Sequence, residues 1–139
     1  VAAAGALALA GAAVGAAPPD PYSWYRLYDD REYAAFEATA GLLARQPDAR
    51  AVVVSWQPGL LLKAMGDPEQ VRHSPEFYKD AAKRAKVLGE SSGPEYVVVD
   101  KQALKMEKAG KADLSFLDGY RLVLQSHGGA YRLYLAEGA

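Results

Sequence analysis

The chain has 139 residues, enough for one domain with an appendage, and half of them are hydrophobic, so a sizeable core can form. Sixteen basic residues against 17 acidic ones leave a formal net charge of −1, which argues against nucleic acid as a partner, because such proteins show a basic excess. With no cysteine, disulfide staples, thiolate metal sites and cysteine nucleophiles are excluded.

The first 17 residues, VAAAGALALAGAAVGAA, carry no charged or polar side chain. Alanine is weakly hydrophobic, and the run falls slightly short of the roughly 20 residues of a full span. It reads as the end of a transmembrane helix, in preference to a signal-peptide core, a small-residue helix packed in a larger protein or a flexible tail. The next stretch, APPDPYSWYRLYDD, has prolines that end a helix. Its Tyr22, Trp24, Tyr25 and Tyr28 form the aromatic belt expected where a chain leaves a bilayer. The expected organisation is an apolar helix over 1–18, an aromatic and proline-rich linker over 19–30, and an α/β domain over 31–139 on the extracytoplasmic side.

Asp29 and Glu32, three apart, predict a capping box and a helix start. Tyr33, Phe36, Ala40 and Leu43 then mark one apolar stripe, and the helix should stop before Pro47. AVVVSW is a strand, apolar without alternation, so both of its faces should be covered. SPEFYKDAAKRAKVLG predicts one helix, with Ser74 as N-cap, Pro75 in the first turn, Gly89 at the end, and Phe77, Ala81, Ala85 and Leu88 as its buried face. EYVVVD is a second buried strand, parallel to the first through a right-handed crossover. KQALKMEKAGKA is a further helix. In YRLVLQSHGGAYRLYLA, Tyr120, Leu122 and Leu124 alternate with Arg121, Val123 and Gln125. Gly128-Gly129 supplies a two-residue turn, and Tyr131, Leu133 and Leu135 resume the strand. The expected fold is α/β: a small three-layer domain with a mixed sheet, two parallel central strands plus a C-terminal β-hairpin at one edge.

Few residues carry chemistry. Glu69 and His73 lack the paired-histidine spacing of a zinc helix, and His127 beside the Gly-Gly turn reads as a surface residue. Neither strand is followed by a glycine-rich phosphate loop or a nucleophile elbow. Lys101, Lys105 and Lys108 share a helix face, extended by Lys111, and read as a solvated stripe. In open α/β sheets ligands bind at the carboxyl ends of the parallel strands. Trp56, Gln57 and Gly59 end one such strand and Asp100 the other, so two separate features converge on one rim.

The order of these elements, with REYAAFEATAGLLARQPDARAVVVSW, PEYVVVDKQALKMEKAG and the closing YRLVLQSHGGAYRLYLAEG, resembles the C-terminal extracytoplasmic domain of STT3/AglB-type oligosaccharyltransferases over roughly residues 20–139. The family motif W-W-D-Y-G, which recognises the acceptor Ser or Thr, is matched here by Ser55-Trp56-Gln57-Pro58-Gly59, where the second Trp and the Gly are kept and the Asp and Tyr are replaced. A second motif, D-x-x-K-x-x-x-M/I, is echoed by Asp100, Lys105 and Met106 at altered spacing. The resemblance implies a membrane glycosyltransferase that moves a glycan from a lipid carrier to the Asn of an N-x-S/T acceptor polypeptide. It implies a divalent metal (Mn or Mg) whose ligands, like the catalytic acids, lie among membrane helices outside this chain. The transmembrane portion of the same chain is then a partner, Trp56, Gln57, Gly59, Asp100 and Lys105 bind substrate, and the isolated domain is inactive. Two other readings stand beside it: a membrane-anchored, non-catalytic binding module of the cell envelope, and a self-contained enzyme that uses the same sheet edge.

Overall fold

The structure, a computed structural model, describes residues 28–136. The apolar run over 1–18 and Tyr22, Trp24 and Tyr25 of the aromatic cluster lie outside the described residues.

Helix α1 (Asp30–Ala44) begins with the expected capping box. The Asp29 carboxylate accepts from the Glu32 amide at 2.8 Å, and the Glu32 carboxylate accepts from the Asp29 amide at 2.9 Å. Phe36, Ala40 and Leu43 are buried as the periodicity predicts, whereas Tyr33 is 41% exposed. The rotation of the helix is set by Phe36, whose ring is held between Tyr28 and Tyr131 at centroid distances of 4.7 and 4.6 Å. Tyr28 is thereby part of the core rather than of a linker.

Strand β1 (Arg50–Val53) runs into helix α2 (Trp56–Met65), with Ser55 at the N-cap position, so SWQPG is a strand-to-helix corner whose Trp56 to Gly59 form the first helical turn. A short strand, β2 (Val71–His73), follows a 3-10 turn. It is not evident in the sequence because three residues with a single aliphatic side chain carry no strand periodicity.

The helix predicted from Ser74 is divided. Residues Pro75–Tyr78 form a 3-10 turn, and helix α3 (Ala81–Gly89) starts afresh with Asp80 as its cap, the carboxylate accepting from the Ala82 amide at 2.9 Å. Phe77 and Tyr78 are both fully buried, and the Tyr78 hydroxyl lies 2.9 Å from the Val52 carbonyl and 2.6 Å from that of Val98. Seating both rings against the sheet takes the tighter turn, so Ala81 and Ala85 end on the exposed side and Val87 supplies the buried contact.

Strand β3 (Glu95–Val99) is buried at every residue and is followed by helix α4 (Lys101–Lys108). Strands β4 (Arg121–Gln125) and β5 (Arg132–Leu135) form the hairpin. Gly128 and Gly129 have the positive φ expected of them, +96° and +78°. The turn is longer than two residues: the Ser126 amide bonds to the Tyr131 carbonyl at 2.8 Å, enclosing residues 127–130. The alternation in β4 is also broken. Leu122 pairs with Tyr134 and Leu124 with Leu133, so Val123 is an extra residue in a bulge. Val123 and Leu124 therefore both pack on the core, and Leu122 is 44% exposed.

The sheet order is β2-β1-β3-β5-β4, with the first three strands parallel and β5 and β4 antiparallel. This is the expected mixed α/β sheet, with one more parallel strand at the edge opposite the hairpin. Ala51, Val53, Tyr96, Val98 and Leu133 face α1 and α2 in one core. Val52, Val54, Val97 and Val99 face Phe77, Tyr78, Val87 of α3 and Ala103 of α4 in the other. Polar ties fasten the layers. The Gln70 amide nitrogen lies 2.9–3.0 Å from the carbonyls of Leu43, Gln46 and Ala49, which ties the end of α1 and the turn after it to the start of β2.

Two substitutions test this packing. Val98→Asp puts an unpaired charge between α1 and the sheet and should abolish the cooperative unfolding transition, at a cost of about 4 kcal/mol or more. Gly93→Ala should destabilise by about 1–3 kcal/mol in urea titrations, because a Cβ there meets the Asp48 carbonyl oxygen at 2.4 Å.

Candidate functional site at the carboxyl edge of the parallel strands

Strands β1 and β3 are adjacent and parallel, yet the helices that follow them leave to opposite faces: α2 packs in the core with α1, and α4 in the core with α3. Divergent exits from neighbouring strands mark the topological switch point of a doubly wound sheet, the edge at which ligands bind in such folds. Trp56 and Gln57 open α2 on one side of it, and Asp100 caps α4 on the other. Strand β5 runs antiparallel to β3 and pairs Arg132 with Val99, which carries the hairpin loop to the same edge. The start of α1 is there too, because Tyr28 is bonded to Asp100.

Asp100 has no solvent exposure. One carboxylate oxygen accepts from the Ala103 amide at 3.2 Å, and the other accepts the Tyr28 hydroxyl at 2.5 Å. Burial pushes the carboxyl above its ordinary range, and the hydrogen bonds from Tyr28 and from the α4 amides pull it partly back. The same burial, with Asp100 alongside, raises the Tyr28 phenol far above its ordinary value. Glu32 is buried beside them; its Oε1 accepts from the Asp29 amide and lies 3.8 Å from Lys101 Nζ, which sits 5.0 Å from the Tyr28 ring centroid.

The five residues singled out in the sequence thus have different standing. Trp56 is 53% exposed, and Gln57 is half-buried beside it. Gly59 is buried in the first turn of α2, where a Cβ would come within 3.2 Å of Val53 Cγ2, so it serves the packing of helix on strand. Asp100 is at the switch point, but its oxygens are taken up inside the protein. Lys105 is exposed one turn into α4. Tyr28, Glu32 and Lys101 complete the constellation; the sequence placed them in an aromatic belt, a capping box and a solvated lysine stripe, not at this site. The capping box pointed to Glu32 as a cap, but pairing across 72 residues, as between Tyr28 and Asp100, leaves no local signal.

His73 and His127 are exposed, and among the described residues no group of three or more His, Cys, Asp or Glu could hold a metal ion. A shallow depression of about 630 Å³ lies at the hairpin loop, lined by Gln125, Ser126, His127, Gly128 and Gly129. Compared with family models, curated proteins and solved structures, the chain matches none.

The Asp100 carboxyl makes stability pH-dependent in a defined direction. Its folded pKa lies above the ordinary 3.8, so between the two values the folded state holds the extra proton. Its contribution is fully present below the unfolded pKa and is lost as pH rises through the folded one. Urea unfolding of the wild type and of Asp100→Asn from roughly pH 4 to 7 should show the wild type losing stability relative to the variant as pH rises. A difference that is flat in pH overturns the assignment.

Proposed function

We propose that this chain is the outer domain of a membrane glycosyltransferase of oligosaccharyltransferase type, in which the β1–β3 switch point places an acceptor polypeptide for glycan transfer from a lipid carrier. The observation that carries this reading is the meeting of three things at one sheet edge: the exposed Trp56 with Gln57 at the start of α2, the buried Asp100, and Tyr28, bonded to Asp100 just ahead of α1. A ligand held at that edge lies beside the polypeptide that leads back to the uncharged run over 1–17. Trp56 offers an exposed apolar surface, and Gln57 offers an amide of the kind that pairs with peptide groups. Gly59 and Asp100 support them, the first by letting α2 close on Val53 and the second by fixing the starts of α1 and α4. Lys105 borders the edge, available to the phosphates of a lipid carrier.

In this reading the divalent metal and the catalytic acids belong to the membrane portion, and the domain contributes recognition and orientation. The alternative, a non-catalytic binding module of the cell envelope, uses the same edge with no membrane active site beneath it.

The test uses the complete polypeptide in membranes supplied with lipid-linked glycan and an N-x-S/T peptide. Trp56→Ala should lower kcat/KM by about tenfold, equivalent to about 1.4 kcal/mol of lost acceptor binding, with the far-UV spectrum of the domain unchanged. Absence of transfer by the parent overturns the glycosyltransferase reading. Unchanged transfer by the variant removes Trp56 from the site.

A further inference from the structure

Helices α1, α2 and α4 all begin at the carboxyl edge of the parallel strands: α2 and α4 directly follow β1 and β3, and the start of α1 is fixed there by the Tyr28–Asp100 bond. Three exposed large hydrophobic side chains lie within the first two turns of two of these helices: Tyr33 on α1, and Trp56 and Leu60 on α2, at 41%, 53% and 40% exposure. Helical side chains lean toward the N-terminus of their own helix, so these three lean toward the edge itself. Trp56 and Leu60 are four apart and share one helix face. Residues 127–130 of the hairpin loop are at the same end and include no Asp, Glu, Lys or Arg.

Charge at this end is mixed. Arg31, Lys101, Lys105 and Arg132 stand against Asp29, Asp30, Glu76 and the buried Glu32, which lies beside Lys101. Tyr28, held at this end by Asp100, is separated from the uncharged run over 1–17 by the ten residues 18–27. Ten residues reach at most about 35 Å, so the edge stays close to wherever that run is held.

We propose that, with no acceptor bound, this end of the domain docks on the surface of a lipid bilayer, with Trp56, Leu60 and Tyr33 seated at the interface and the stems of Lys101 and Lys105 extending toward the headgroups. Aromatic rings with a polar handle and long basic side chains are the groups that partition to that depth. Because the charges at this end offset one another, docking is driven by apolar burial and does not depend on anionic lipid. The inference rests on the proposed membrane anchoring of the same chain, and extends it by assigning which end of the domain meets the lipid and through which residues.

The test places the whole chain, carrying Trp24→Phe so that Trp56 is the only tryptophan, in phosphatidylcholine vesicles whose acyl chains are brominated near the headgroup. The expected result is a blue-shifted Trp56 emission that the brominated lipid quenches, equally with or without one-third phosphatidylglycerol. Leu60→Asp and Tyr33→Asp together should abolish the quenching while the chain still floats with the vesicles. A chain that floats with vesicles but leaves Trp56 unquenched overturns the docking and leaves the anchoring intact. A chain that does not float overturns both. Quenching that appears only with phosphatidylglycerol overturns the apolar mechanism.

Discussion

The arrangement depends on strand β3 being buried along its whole length. A strand with Tyr96 and Val98 on one face and Val97 and Val99 on the other needs cover on both sides, and its backbone needs a neighbour along each edge. Strand β1 meets one edge in parallel and β5 the other in antiparallel sense. With helices required above and below, the helices that follow β1 and β3 part company, and the switch point follows from that parting. The switch point is thus a by-product of covering one strand.

Asp100 stands at the joint between that core and the edge. As the cap of α4 it satisfies a helix amide, and through Tyr28 it holds the first turn of α1 against the sheet. Burying a carboxyl is unfavourable unless its lone pairs are filled, and here both oxygens have partners. A polar interaction inside the fold therefore governs how the outer surface of this end is presented, with Trp56 and the lysines of α4 carried on helices whose starts it fixes.

The candidate site was partly legible. AVVVSW and EYVVVD have no alternation, which announces strands covered on both faces and, through the crossover, a shared carboxyl edge. That was sufficient to place Trp56, Gln57 and Asp100 together. It could not separate groups available to a ligand from groups consumed by the fold. Asp100 and Gly59 have the same local signature whether they face a ligand or a neighbouring helix, and only the positions of Tyr28 and Val53 decide between these.

Elements whose causes lie within a few residues were fixed by the amino-acid order: the Asp29–Glu32 capping box, the two buried strands, the helix after Asp100, and the positive φ at Gly128 and Gly129. Those whose causes lie across the fold were decided by tertiary structure. Tyr33 turned outward because Phe36 took the place between Tyr28 and Tyr131. The Ser74 helix broke because Phe77 and Tyr78 had to reach the sheet, and β4 bulged so that Val123 and Leu124 could both meet the core. Capping and turn geometry are short-range, so the sequence carries them openly. Burial is a property of the partner, and the partner is known only when distant segments meet.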